Sequence, residues 1–82
     1  MPRRKASSVR KSEIALAVGK EVCAYRKSLG LTQERFAELV GLSKNYIGNI
    51  ERGEYEISIS TLNQVGRALG VKASSLLQSA GY

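Results

Sequence analysis

Apolar residues recur at helical spacing in five stretches of this chain, and none of them alternates as a β-strand does. In the first stretch Val18, Val22, Tyr25 and Leu29 are spaced for one buried face. Each of the first four stretches follows a serine or threonine that can cap a helix, and glycines lie where helices end. Helices are predicted over residues 13–28, 33–40, 44–52, between Ser58 and Gly70, and over 73–78, with caps at Ser12, Thr32, Ser43 and Ser58 and closing glycines at Gly30, Gly53 and Gly70. The pattern predicts an all-α fold, a compact five-helix bundle.

The second and third helices carry the steric pattern of a helix-turn-helix. Ala37 lies midway along the second helix, where a small side chain lets the third helix approach closely. Gly41 lies at the turn, where we expect a positive φ, which glycine adopts without strain. The buried side is predicted to combine apolar residues of both helices: Phe36, Val40, Leu42, Ile47 and Ile50. This pattern is typical of the motif that places its second helix in the major groove of DNA.

Most of the net positive charge of the chain lies in a short segment that precedes the predicted bundle. The 82 residues suffice for one domain, and most of the net charge of +6 lies near the start of the chain. Residues 1–11 show no periodicity, so we expect a flexible arm that is disordered when free, followed by the DNA-binding domain over residues 12–82. The basic residues of the arm are Arg3, Arg4, Lys5, Arg10 and Lys11. Such an arm suits a polyanion, and a solubilising tail is the alternative.

The composition of the chain indicates the cellular compartment and excludes several kinds of catalysis and metal binding. No apolar run reaches the roughly 18 residues that span a bilayer, and the basic start lacks the apolar stretch of a signal peptide, so we expect a cytoplasmic protein. The chain has no histidine, which excludes histidine-based catalysis and metal ligation. The lone Cys23 can form neither an internal disulfide nor a structural zinc site, and it is predicted to fill space next to the apolar face of the first helix. We expect no cofactor, no metal and no enzymatic activity.

The chain resembles the lambda-repressor-like DNA-binding domains, the Xre or Cro/C1 group of bacterial and phage regulators. The likeness covers about residues 18–77 and is densest in the segments LTQERFAELVGLS, YIGNIERG and STLNQVGRALGV. The segment RGEYEISISTL is similar to the restriction–modification controller proteins, small dimers that regulate their own operon. The resemblance implies a regulator of transcription that binds double-stranded DNA.

The start of the third helix is predicted to face base edges, with Lys44, Asn45 and Tyr46 in its first turn and Asn49 one turn further on the same face. Lysine can donate to guanine O6 or N7, and asparagine can bond adenine through two hydrogen bonds. The resemblance implies base contacts at the same four positions. The alternative is that all four are solvated residues on an exposed face, and Lys44 or Tyr46 could turn to the phosphates instead.

Residues that flank this helix are predicted to contact the DNA backbone. Gln33 begins the second helix, where free backbone N–H groups favour an anion. The resemblance also implies that Gln33 braces the recognition helix. Arg52 could instead cap its own helix, and Arg35 could simply be solvated. The predicted backbone contacts are Gln33, Arg35, Arg52, Tyr55 and Ser58.

Glu51 is assigned to structure rather than to DNA. If Ile47 and Ile50 point inward, Glu51 points away from the DNA face, and its charge needs a cation. Arg26, near the end of the first helix, is the predicted partner, and the resemblance implies the same ion pair. Half-buried, the pair would fix how the helices pack.

One recognition helix reads only roughly four to six base pairs, which is too few for selectivity in a genome. We therefore expect a homodimer that reads an inverted repeat with two recognition helices about 34 Å apart. Leu76 and Leu77 are adjacent and cannot both face one small core, so the interface is predicted in the C-terminal segment. It comprises Leu69, Val71, Leu76 and Leu77, and the alternative is that Leu76 and Leu77 simply cap the bundle.

Because no sensor domain follows the motif, we expect no small-molecule ligand and control through the concentration of the protein itself. RNA polymerase is a candidate further partner. Two other classes of function remain open: a protein-interaction module, such as an antitoxin-like partner, and RNA binding through the basic arm.

Overall fold

The computed structural model describes residues 12–82, which form five helices with no strand among them. The helices are α1 (Glu13–Ser28), α2 (Gln33–Val40), α3 (Lys44–Glu51), α4 (Ile59–Leu69) and α5 (Ala73–Ser79). The predicted all-α five-helix bundle is confirmed. α3 ends one residue earlier than predicted because Arg52 is its C-cap, and α5 continues one residue further. The basic arm, residues 1–11, lies outside the described residues.

Side-chain caps explain where four of the helices begin. The hydroxyl groups of Ser12, Thr32, Ser43 and Ser58 each accept a backbone N–H three residues further on, at 3.0–3.1 Å. Each such cap stabilises its helix by about 1 kcal/mol.

The turn between α2 and α3 is closed by Gly41. Its φ of +86° lies in the left-handed region, as the sequence predicts. The N–H groups of Gly41 and Leu42 both return to the carbonyl of Ala37, at 2.8 and 3.0 Å. α3 therefore leaves the turn in a fixed direction.

One apolar core joins all five helices, and α3 contributes Ile47 and Ile50 to it. The remaining core residues are Val18, Val22, Phe36, Ala37, Val40, Leu62, Val65, Leu69 and Leu76. Because Ile47 and Ile50 are both fully buried, the rotation of α3 about its axis is set by the core.

Two predictions about burial are corrected by the structure. The sequence predicts Leu29 on the buried face of α1, yet Leu29 is 53% exposed because it is the C-cap, where the chain has already left the helix. The sequence predicts Leu69 and Leu76 at an interface, yet they are 6% and 0% exposed and belong to the core. The monomer itself buries these two leucines.

A close backbone approach between α1 and α3 depends on Gly19, a buried residue in the middle of α1. A methyl group at Gly19 would fall on the carbonyl oxygen of Ile50 and lie 2.9 Å from that of Glu51. Only glycine leaves room for α3 to lie this close to α1.

Candidate nucleic-acid interface

α3 presents a polar face to the outside of the bundle. Lys44 and Asn45 are exposed, while Tyr46 and Asn49 are half-buried. All four residues predicted to read bases are thus accessible on one short helix. The buried side of the same helix is held by the core.

A cluster of polar side chains surrounds Asn49, which we call the Asn49 cluster: Tyr46, Asn49, Arg52 and Tyr55. The Nδ2 atom of Asn49 donates to the hydroxyl oxygen of Tyr55 at 3.0 Å. The Oδ1 atom of Asn49 accepts a hydrogen bond from the Nη2 atom of Arg52. The rings of Tyr46 and Tyr55 lie with their centroids 5.2 Å apart and tilted by 40°, in the range of favourable aromatic pairs. The loop after α3 is thereby tied to the outer face of the helix.

Arg52 also lies near an acid in that loop. Its Nε atom is 3.7 Å from Oε2 of Glu54, and both side chains are about half exposed. An exposed pair of this kind contributes little to stability. Its effect is local, since it holds the guanidinium beside the face of α3.

The inner end of α3 is fixed by a buried ion pair. Arg26 donates from Nε to Oε2 of Glu51 at 2.6 Å and from Nη2 to Oε1 at 3.0 Å, and the two side chains are 9% and 4% exposed. The Nη1 atom of Arg26 donates to the carbonyl of Leu31 at 2.7 Å. The pair that the sequence predicts is present, and it is more deeply buried than expected.

Gln33 completes this brace from α2. Its Nε2 atom donates to Oε1 of Glu51 at 2.9 Å. The side chains of Arg26, Gln33 and Glu51 therefore join α1, α2 and the end of α3 in one network, which we call the Glu51 brace. The bracing role that the resemblance implies for Gln33 matches this contact.

The brace shifts the acid–base equilibria of its charged members. Burial by itself would raise the pKa of Glu51, but hydrogen bonds from Arg26 and Gln33 outweigh it and lower that pKa below its ordinary value. The hydrogen bond to Glu51 raises the pKa of Arg26. Both groups are therefore charged over the whole neutral range.

The other residues predicted to contact phosphates have partners of their own within the chain. Arg35 is exposed and donates from Nη1 to Oε1 of Glu38 at 2.8 Å. The hydroxyl of Ser58 caps α4 and also donates to Oγ1 of Thr61 at 3.0 Å. The predicted contacts of the basic arm lie outside the described residues.

Two of the four predicted interface residues remain partly accessible, Val71 and Leu77. Leu77 also lines a mostly apolar groove of about 250 Å³ between α1, α4 and α5. Ile59, at the first position of α4, is 85% exposed on the rim of this groove. The groove is lined by Ile14, Ala15, Val18, Glu56, Ile57, Ile59, Leu62 and Leu77.

Sequence reasoning missed Gly19, Ile59 and the contacts within the Asn49 cluster. A signal for Gly19 is present in the sequence, since a glycine inside a helical pattern commonly marks a close approach. Ile59 lies three residues before Leu62, so periodicity alone would place it on the buried stripe. It is exposed because the first turn of α4 extends beyond the edge of the core.

Within residues 12–82 no three acidic or cysteine side chains lie close enough together to hold a metal ion. In the same part of the chain, no helix is long and apolar enough to cross a membrane.

A family model described as helix-turn-helix matches residues 24–76, which include α2, α3 and α4. The immunity repressor of Bacillus phage phi105 is 42% identical over 62 residues, which cover 76% of this chain and 43% of the repressor. The control protein C.SmaI of Serratia marcescens is 36% identical over 69 residues, covering 84% of this chain and 82% of that protein.

A solved structure of SinR, the master regulator for biofilm formation, in complex with DNA superimposes with a TM-score of 0.69. It is 34% identical, and the match covers 73% of this chain and 97% of that one. The resemblance predicted from the sequence is thus confirmed.

Proposed function

This chain belongs to the helix-turn-helix family, and we propose that it is a sequence-specific, DNA-binding regulator of transcription that reads an inverted-repeat operator as a homodimer. The proposal extends the family assignment to the residues that read DNA, to the self-association and to the form of the operator.

The way α3 is mounted is the main support for sequence-specific binding. Ile47 and Ile50 fix the rotation of α3, and the Glu51 brace fixes its end. Lys44, Asn45 and Asn49 are left on the outer side. A short helix with a buried rear side and hydrogen-bonding side chains in front suits insertion into the major groove.

Each outward side chain of α3 has a base edge that it suits. Lys44 can donate to O6 or N7 of guanine, and Asn45 or Asn49 can bond adenine through N6 and N7. Tyr46 can contact a thymine methyl group through its ring. These four residues would specify the sequence of each half-site.

Phosphate contacts would hold this helix in register. The backbone N–H groups in the first turn of α2, beside Gln33, would offer an anion site while the Gln33 amide serves the Glu51 brace. Arg35 in α2 and Arg52 at the end of α3 are both exposed and would supply guanidinium groups to phosphates. Ser58 is the weakest candidate, since its hydroxyl already caps α4 and bonds Thr61.

The basic arm would add contacts that do not depend on sequence. Its five basic residues and lack of acids suit the phosphate backbone. Deleting residues 1–11 should reduce the slope of log affinity against log salt by about 0.9 for each phosphate that the arm neutralises in the native complex. An unchanged slope would show that the arm takes no part in binding.

Self-association is assigned to the apolar groove and its rim rather than to the whole C-terminal segment. Leu77, Ile57 and Ile59 form an apolar surface that the monomer leaves partly or largely uncovered. A two-fold pair of chains would bring two such surfaces together and set two α3 helices on one face of the duplex. Val71, in the short connection between α4 and α5, would extend this surface.

Autoregulation is part of the proposal, because the chain resembles the restriction–modification controller proteins, and its relatives include the control protein C.SmaI and a phage immunity repressor. The chain spans less than half the length of that repressor, so the comparison bears on its DNA-binding part. RNA polymerase stays a candidate partner, with repression by occlusion or activation by contact as the two modes.

Footprinting on the DNA upstream of the protein's own gene tests the proposal. We expect two protected patches on one face of the duplex, centred about 10 base pairs apart. A duplex of the same composition with shuffled sequence is the control. Equal protection of both duplexes would contradict specific autoregulation.

A further inference from the structure

Resting on the proposed DNA-binding function, we propose that Tyr55 and Arg52 are positioning residues that fix the orientation of the Asn49 amide. In that orientation the amide reads adenine at one position of each half-site. The sequence alone predicts that both residues contact the DNA backbone. Their contacts with Asn49 give Tyr55 a different role and give Arg52 an additional one.

Arg52 determines which end of the amide faces it. A guanidinium group has only N–H donors, so only the oxygen of an amide can lie against it. In the structure the Nη2 atom of Arg52 donates to Oδ1 of Asn49. The reversed amide would set N–H against N–H, and this contact therefore selects one of the two flips.

Tyr55 holds the other end of the same amide. Its hydroxyl oxygen accepts from Nδ2 of Asn49 at 3.0 Å. The ring of Tyr55 is in turn placed by Tyr46, whose ring centroid lies 5.2 Å away and which packs against the core. The core therefore holds Tyr46, Tyr46 packs against Tyr55, and Tyr55 holds the amide of Asn49 in place.

These two bonds leave half of the hydrogen-bonding capacity of the amide unused. An asparagine side chain has two N–H hydrogens and two oxygen lone pairs. With one of each engaged by Tyr55 and Arg52, one donor and one acceptor remain. They match N7 and the N6 amino group of adenine. A fixed order of donor and acceptor discriminates between bases better than an amide free to turn over.

The test begins with the operator that the native protein selects, and it compares Tyr55→Phe with the native chain. Phenylalanine keeps the ring beside Tyr46 and removes only the hydroxyl. We expect the preference for adenine at one position to fall about 3- to 10-fold per half-site, the worth of one hydrogen bond. Affinity for unrelated DNA should stay unchanged. Tyr25→Phe is the matched control, because its hydroxyl lies near Ser79 of α5 and takes no part in the Asn49 cluster.

A double-mutant cycle separates positioning from a direct contact. In an Asn49→Ala background, adding Tyr55→Phe should change neither affinity nor base preference, since the group it positions is gone. An equal loss on all sequences, or the same loss in that background, would overturn the inference and make Tyr55 a backbone contact. A native protein that selects no sequence would overturn the proposed function and the inference with it. Native selectivity with an unaltered Tyr55→Phe variant would overturn the inference alone.

Discussion

Asn49 and Glu51 lie two positions apart on α3, and their different surroundings give them different roles. Asn49 faces outward among Tyr55 and Arg52 and keeps part of its hydrogen-bonding capacity. Glu51 faces inward, where both carboxylate oxygens are bonded by Arg26 and one also by Gln33. Asn49 therefore keeps groups that a ligand could bond, whereas Glu51 holds the helix in place.

Replacing Asn49 with alanine should affect specificity more than stability. We expect Asn49→Ala to weaken binding to the operator by about 1–3 kcal/mol and to relax one base position. Competition binding against operators with single base changes measures both effects. Asn63→Ala, on the exposed part of α4, is the control. Equal weakening on every sequence would remove Asn49 from the base-reading set.

Replacing Glu51 should affect stability first. Glu51→Gln keeps the shape of the side chain but leaves the buried Arg26 charge uncompensated, which we expect to cost about 3–5 kcal/mol. Urea unfolding measures the loss. Glu38→Gln removes an exposed partner of Arg35 and should cost less than about 1 kcal/mol. Similar losses for the two variants would mean that burial of the Arg26–Glu51 pair is energetically unimportant.

The same pair predicts how stability depends on pH. Because folding lowers the pKa of Glu51, its stabilising contribution is full above the pKa that Glu51 has in the unfolded chain and is lost as the pH falls through the folded pKa. The raised pKa of Arg26 acts only at strongly alkaline pH. The free energy of unfolding should therefore fall in acid, and less steeply in Glu51→Gln than in the native protein. Parallel acid profiles for the two proteins would refute this assignment.

At the scale of elements, the arrangement of α1 against α3 depends on a missing side chain. Gly19→Ala would place a methyl group on the backbone of Ile50 and Glu51, which cannot move without shifting α3. We expect a loss near the upper end of the roughly 1–3 kcal/mol that overpacking costs, in spite of the better helix propensity of alanine.

Gly48→Ala in α3 is the matched control for this substitution. The atoms nearest to a methyl group there belong to the flexible end of Arg52, the first at 3.0 Å, so the stability of the Gly48→Ala protein should stay level or rise. Thermal unfolding of both variants makes the comparison. A Gly19→Ala protein as stable as the Gly48→Ala protein would contradict the close approach of α1 and α3.

Helix positions could be predicted from the sequence because caps and glycines act locally. Ser43 and Gly41, for example, bound the turn through contacts within a few residues. The burial of Leu76 and the exposure of Ile59 could not be predicted, since each depends on where the core ends in three dimensions. The accessible position of Lys44, Asn45, Tyr46 and Asn49 on α3 could be predicted from the motif. The bonds within the Asn49 cluster could not, because Tyr55 reaches Asn49 only through the shape of the loop.

At the scale of the whole molecule, the proposed function requires that two chains associate. Ile59→Asp should weaken the dimer, because it would place a charge on the apolar rim at the groove. The fold should tolerate it, since an acid suits the first turn of a helix. Sedimentation at several concentrations measures the association. Leu39→Asp, an exposed leucine on α2, is the control. Unchanged association of Ile59→Asp would move the interface elsewhere.

The most direct test of sequence-specific dimeric recognition is selection of binding sites from random duplex DNA by the purified protein at near-physiological salt. We predict an enriched inverted repeat whose half-sites lie about one helical turn apart, roughly 34 Å. Binding that enriches no motif and disappears as salt rises would contradict that claim, because it would reduce the interaction to non-specific attraction between basic residues and phosphates.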